Sequence, residues 1–197
     1  MEWILASASP RRKELFAELV KKFDILPAKG EEKTDEGLSP KELVKALARQ
    51  KAEEVALKAE AKDKAVLGSD TVVALGNRVL GKPKTEKEAF EMLSDLSGKT
   101  HFVYTGVCML LPQNEGGRYA LTDVACTEVV FEKLSAEQIS AYIATGSPMD
   151  KAGAYGIQDG GLVKEIKGSF SNVVGLPLEL CSEMLKKANE LVHGGLE

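Results

Sequence analysis

The stretch AVLGSDTVVALGNRVLGKP, residues 65–83, decides the fold. Its second half, GNRVLGKP at 76–83, matches the phosphate-binding pattern G-x-x-x-x-G-K-[ST] at every position except the last. A strand-like run at 71–75 precedes it, and a helical pattern follows from Thr85. Mechanism argues against a P-loop. The position after the lysine needs a hydroxyl for Mg²⁺, and Pro83 has neither a hydroxyl nor an N–H to help cradle phosphate. Val79 and Leu80 also make a poor phosphate nest. The residues read instead as a β-hairpin: a strand to Leu75, a Gly76-Asn77 turn, and a return strand over 78–81. A strict two-residue turn sets Lys82 opposite Thr71, on the face away from Asp70. A three-residue turn, a bulge or an early strand end would let Lys82 and Asp70 reach one pocket.

Outward from the hairpin, helices and strands alternate. Residues 3–6 read as a short buried strand, and Ser9-Pro10 opens a helix with a good N-cap and proline at its first position. A second strand is expected at 23–28 and a charged loop at 29–38. Ser39-Pro-Lys-Glu42 is a capping box that starts a long helix running to about Ala61. Thr85-Glu-Lys-Glu88 is a second capping box, with Gly98 placed to end its helix. Strands at 102–111 and 119–131 form an antiparallel pair joined by the turn-rich 112–117. Ser135-Ala-Glu-Gln138 starts a helix that Gly146 stops, short strands follow Gly160-Gly161, and a last helix begins near Pro177. This order predicts an α/β fold with a mixed sheet and no linker.

The chain has 197 residues, 44% of them hydrophobic and 28% charged, enough for a sizeable core in one domain or two closely packed lobes. A net charge of -4 argues against electrostatic nucleic-acid binding. No apolar run approaches the roughly 18 residues of a membrane span, and the N-terminus has no signal-peptide pattern. Three widely spaced cysteines, Cys108, Cys126 and Cys181, argue against a disulfide framework and for a reducing cytoplasm. Two histidines and no C-x-x-C leave no basis for structural zinc.

Four places can carry chemistry. Ser7-Ala-Ser-Pro-Arg-Arg12 lies where a strand turns into a helix, so free N–H groups and two guanidinium forks suit an anion; otherwise Arg11 and Arg12 are solvated. Lys51 falls near the middle of an apolar helical arc formed by Leu43, Val44, Leu47, Ala48 and Val55. It must therefore snorkel or meet a buried anion. Asp70, inside an apolar strand, either holds a divalent metal, acts as a base on water, or caps nearby backbone. Glu31 and Glu32 can supply another metal oxygen or form a solvated loop. In residues 150–158, glycines allow close backbone approach, and Lys151 and Gln158 offer polar contacts; a structural turn explains the glycines nearly as well.

Together and in order, these pieces resemble the Maf family of nucleoside triphosphate pyrophosphatases, once described as septum-formation inhibitors. The resemblance runs through Leu5-Ala-Ser-Ala-Ser-Pro-Arg-Arg12, Glu31-Glu32, Gln50-Lys-Ala52, Gly68-Ser-Asp-Thr71 and Gly81-Lys-Pro83. It continues through Leu96-Ser-Gly98, Thr105-Gly106, residues 150–158 and Val174-Gly-Leu-Pro177. It implies one Maf-like domain over 1–197 with a Maf/ITPase-like architecture: an elongated mixed central β-sheet, flanking helices and two lobes around a cleft.

The implied activity is hydrolysis of a nucleoside triphosphate to monophosphate and pyrophosphate with a divalent cation, Mg²⁺ or Mn²⁺. The implied role is house-cleaning of the nucleotide pool, and a homodimer follows by analogy only. By motif position Asp70 resembles the catalytic base, and Ser7, Arg12, Glu32, Lys51 and Lys82 resemble phosphate, metal or water-positioning groups. Asp70 and Glu32 would hold the metal. The subgroup acting on dTTP and UTP carries an arginine like Arg11, a threonine like Thr71 and a glutamine like Gln158. Relatives acting on 7-methyl-GTP have an aromatic residue, Gln and Glu there. The resemblance thus favours dTTP and UTP, with modified pyrimidine nucleotides open. The alternatives are the 7-methyl-GTP enzyme and a regulatory binder acting on septum formation. Gly30, where relatives often carry an apolar residue, is a departure that touches only loop packing.

Overall fold

The computed structural model describes residues 1–32, 37–113 and 117–193. Residues 33–36 of the expected charged loop and 114–116 of the expected turn lie outside them. Among the described residues a mixed sheet of seven strands forms the spine, with strand order β2-β1-β3-β5-β6-β7 and β4 paired to β3. The strands are β1 (Trp3–Leu5), β2 (Asp24–Ile25), β3 (Ala65–Leu75), β4 (Arg78–Leu80), β5 (Thr100–Pro112), β6 (Arg118–Phe131) and β7 (Val163–Lys167). β1 runs parallel to β2 and β3; every other pairing is antiparallel. The helices are α1 (Pro10–Leu19), α2 (Pro40–Ala56), α3 (Glu86–Leu96), α4 (Ala136–Ile143), α5 (Phe170–Val174) and α6 (Leu178–His193).

The long strands β3 and β5 run through both lobes. Because strand side chains alternate between faces, the first half of β3 is covered twice. Val66 meets Ala48, Ala52 and Val55 of α2 on one face, and Leu67 meets Phe16 of α1 and Cys181 and Met184 of α6 on the other. The second half sends Val73 into a separate core with Leu93 of α3, Ile139 of α4 and Tyr155. The cleft lies where one core gives way to the next, at Asp70 and Thr71.

Local chemistry accounts for most element boundaries. Ser39 and Ser135 form complete capping boxes with Glu42 and Gln138. At α3 only half of the expected box forms. Thr85 accepts from the Glu88 N–H, but the Glu88 carboxylate reaches back to the Lys84 N–H, one residue beyond the cap. The hairpin has the strict two-residue turn, with Leu75 opposite Arg78 and Gly76 at φ 58°, as a turn with glycine first requires. The strand at 23–28 shrinks to two residues because its partner β1 offers only Ile4 and Leu5 to pair with. α2 stops at Ala56, five residues short of the expectation, and Ala59–Ala61 tightens into a 3-10 turn. No helix among the described residues is long and apolar enough to cross a membrane.

Candidate active site

The site is built around the alternation of β3. Asp70 shares the face of Val66 and Gly68, toward α2, whereas Thr71 faces the side of Ser69 and Val73. Helix α2 sits unusually close to the sheet. A Cβ on Gly68 would lie 2.3 Å from the Ala48 carbonyl oxygen, and one on Gly106, opposite Asp70, would lie 2.2 Å from that of Val44. Only glycine permits that approach. It brings Lys51, one turn along α2, onto Asp70.

The lysine in the apolar arc therefore meets an anion. Lys51 Nζ donates to Asp70 Oδ1 and pairs with Glu32 Oε1 at 2.8 Å. Asp70 is buried and Glu32 half exposed, so the group opens to solvent on the glutamate side. Helix α2 also holds the loop that carries Glu32. The Glu54 carboxylate accepts from the N–H groups of Lys29 and Gly30 at 2.8 and 2.9 Å, and Gln50 Nε2 donates to the Glu31 carbonyl at 3.3 Å. Glu31 itself lines the same open depression as Glu32.

On the other face, Arg11, Arg12, Thr71, Lys82, Lys151 and Gln158 line one cavity of about 110 Å³. Pockets for whole small molecules run to roughly 300–1,000 Å³, so this volume suits a single ring with the rest of a ligand outside. Arg12 is fixed by three contacts: Nε to the Gly175 carbonyl at 2.8 Å, Nη2 to Thr71 Oγ1 at 3.0 Å and Nη1 to Ser7 Oγ at 3.5 Å. Burial lowers its pKa, and the fields of Asp70 and Glu32 oppose that shift. Arg12 thus carries positive charge between the two groups.

Lys82 shows how the hairpin resolves. The register that would set it opposite Thr71 ends at Leu80, and the Gly81 carbonyl instead accepts from Gly153 N–H at 3.0 Å. Lys82 leaves the ladder and lines the cavity beside Thr71, with no hydrogen bond or ion pair of its own among the described residues. The structure thus places Glu32, Lys51 and Asp70 on one side of β3, and Arg11, Thr71, Lys82, Lys151 and Gln158 on the other, with Ser7 and Arg12 between.

Of the groups that hold these in place, sequence reasoning named Asp150 and Thr105 only as motif members and missed Tyr142, Ser147, Asp159 and Asn172. Asp150 Oδ2 accepts from Arg11 at 3.1 Å and Oδ1 from Lys151 at 2.8 Å. Partial burial works to raise the Asp150 carboxyl, but the bonds from Lys151 and Arg11 outweigh it and hold it below its ordinary value. Tyr142 OH accepts from Gly156 N–H at 2.9 Å and donates to Asp159, which also accepts from Ser147 Oγ at 2.6 Å. Thr71 Oγ1 bonds Thr105 Oγ1 at 3.0 Å, and Thr105 donates to the carbonyl of buried Asn172 at 3.0 Å. Asn172 gave no clear signal in sequence, because it sits in the mixed run Ser169-Phe-Ser-Asn-Val-Val174.

Residues 2–188 match the family described as Maf-like protein. The chain is 44% identical over 198 residues to the dTTP/UTP pyrophosphatase of Caldicellulosiruptor saccharolyticus, covering 98% of each chain. It is 50% identical over 184 residues to the dTTP/UTP pyrophosphatase of Moorella thermoacetica, covering 92% of each. Among solved structures it resembles the Staphylococcus aureus Ham1 protein, with a TM-score of 0.50 and 16% identity over 95% of this chain and 99% of that one, a likeness of fold alone. The family match runs from the start of β1 into α6 and takes in both sides of the cleft: the chain belongs to the Maf-like protein family.

Proposed function

We propose that this protein hydrolyses dTTP and UTP to the nucleoside monophosphate and pyrophosphate. The observation that carries the reading is the meeting of Arg11, Thr71 and Gln158 on one ring-sized cavity, one strand position away from Asp70. The identity of 44–50% to proteins named dTTP/UTP pyrophosphatase supports it.

In this reading the pyrimidine ring enters the cavity, where Arg11, Thr71 and Gln158 read its polar edge and Lys151 and Ser7 help to place the nucleotide. Water attacks the α-phosphorus and pyrophosphate leaves. Asp70 takes the proton from the attacking water at a carboxylate oxygen. Arg12, Lys51 and Lys82 stabilise the charge that builds on the triphosphate and its leaving group.

The donor set suits a hard divalent cation. Glu32 Oε1 and Asp70 Oδ1 converge on one point, and carboxylates with water and phosphate oxygens are the usual company of Mg²⁺. Among the described residues no cluster of three or more His, Cys, Asp or Glu completes an all-protein cage, so the remaining ligands would be water and substrate. Bound there, Mg²⁺ or Mn²⁺ would neutralise phosphate charge and make a water more acidic. The net charge of -4 supports a small-molecule role without a nucleic-acid partner. A homodimer rests on the resemblance alone, a cytoplasmic setting on the cysteine pattern, and one domain over 1–197 on chain length together with the resemblance.

Pyrophosphate release from dTTP, UTP, CTP, GTP and 7-methyl-GTP, measured side by side with and without chelator, tests the reading. Fastest release from dTTP and UTP, lost on chelation, is the expected result. Preference for 7-methyl-GTP overturns the specificity.

A further inference from the structure

We propose that Lys51 is a place-holding cation: its ammonium stands where Glu32 and Asp70 would grip a divalent metal, and the metal must displace it. The inference rests on the metal site proposed above and goes beyond it, because it assigns the lysine two positions and an order of events.

Charge requires a cation here. Asp70 is buried and faces Glu32 across a single point, and a buried carboxylate without a partner is strongly unfavourable. Lys51 Nζ now supplies that partner to both oxygens. Two carboxylates and one ammonium sum to about one negative charge, whereas a divalent cation balances the pair completely. Once the metal is held, the ammonium is surplus at that point and is free to meet an incoming anion.

The geometry allows the head to move and not the stem. Buried Ala48, Ala52 and Val55 flank Lys51 on α2, and the glycine contacts at 68 and 106 fix the helix on the sheet. The lysine Cα is therefore anchored, while its four-carbon chain can re-aim the charge. Arg12, the neighbouring cation, cannot exchange in this way because Gly175, Thr71 and Ser7 hold its guanidinium. The open depression of about 400 Å³ lined by Ala28, Gly30, Glu32, Gln50, Lys51 and Glu54 gives an ion access to Glu32 and the Lys51 head, behind which Asp70 lies, without passing the cavity on the other face.

The test is an equilibrium titration of the full chain with Mn²⁺ by electron paramagnetic resonance, without nucleotide, on wild type, Lys51→Met, Glu32→Gln and Asp70→Asn. The expected result is Mn²⁺ binding about tenfold or more tighter in Lys51→Met, although its turnover falls, and weaker binding in the two carboxylate variants. Equal or weaker binding in Lys51→Met, with binding lost in Asp70→Asn, overturns the place-holder role alone. Wild-type binding in both carboxylate variants overturns the metal site and the place-holder together. Should Lys51→Met fail to fold, acetylation of Lys51 by acetic anhydride in the unmutated protein decides. Read by peptide mass spectrometry, it should rise several-fold when Mn²⁺ saturates, and an unchanged rate overturns the proposal.

Discussion

Asp70 and Thr71 are consecutive in β3 and serve opposite faces of the sheet: the carboxylate meets Lys51 of α2, and the hydroxyl meets Arg12 of α1. One strand thus divides a group suited to proton and metal chemistry from a cavity suited to a ring. A nucleotide that used both would have to cross the strand near Arg12, the half-buried cation that feels Asp70 and Glu32 and touches Thr71.

Replacing Asp70 with asparagine keeps the shape and removes the charge. If Asp70 takes the proton from water, kcat for pyrophosphate release from dTTP should fall by about 10²–10⁴-fold, the usual contribution of a general base. Thermal melting should show a folded protein. Turnover within a few-fold of wild type would remove Asp70 from the mechanism.

Gly106→Ala tests whether α2 must lie this close. The new methyl group would sit 2.2 Å from the Val44 carbonyl oxygen and 2.8 Å from the Lys45 nitrogen, both backbone atoms of α2, so the helix has to retreat. Overpacking of this kind destabilises by about 1–3 kcal/mol or more, and the retreat should also lower activity by pulling Lys51 from Asp70. Gly81→Ala is the contrast: its Cβ meets nothing within 4 Å, so stability should stay within about 0.5 kcal/mol. Urea unfolding of the two variants measures the difference.

What the sequence made legible follows from how local each signal is. The hairpin turn and the complete caps at Ser39 and Ser135 depend on residues three or four apart, and they formed as read. Lys51 stood out because a charge inside an apolar arc needs an explanation wherever the helix goes. β2 was read too long because an edge strand takes its length from its partner, which lies elsewhere in the chain. The hairpin register gave Lys82 its face, but its departure from the ladder depends on a hydrogen bond from Gly153, which no nearby residue announces. Tyr142, Ser147 and Asp159 look like ordinary surface residues until folding brings them together.

Stability should depend on pH through His101. Burial lowers its pKa from the ordinary 6.5 to about 4, with Nε2 against the Tyr155 hydroxyl and Nδ1 without a hydrogen-bond partner among the described residues. The unfolded chain takes up the proton more readily, so this contribution is complete above pH 6.5 and is lost as pH falls toward 4. Between pH 7 and 5 the loss is about 2 kcal/mol. His101→Gln should lose markedly less stability than wild type over that window in urea titrations. Parallel pH curves for the two proteins would sink the assignment.

Tyr142 offers the sharpest separation of positioning from chemistry. It does not line the cavity, yet its hydroxyl joins Gly156 N–H to Asp159, and Asp159 holds Ser147, whose carbonyl and hydroxyl bond Lys151 Nζ at 2.6 and 2.9 Å. Burial, with the nearby Asp159 carboxylate adding to it, raises the Tyr142 pKa, so the phenol keeps its proton and serves as a fixed link. Tyr142→Phe leaves Gly156 N–H without that partner and frees the segment that carries Lys151 and Gln158. An unmade bond of this kind is worth about 1–2 kcal/mol, or roughly 5–30-fold in an equilibrium. The expected result is a KM for dTTP raised by that factor, with kcat within about twofold, because Asp70 and Lys51 lie on the far side of β3. A fall in kcat at constant KM would place Tyr142 in the chemical step and contradict the division of the site by β3.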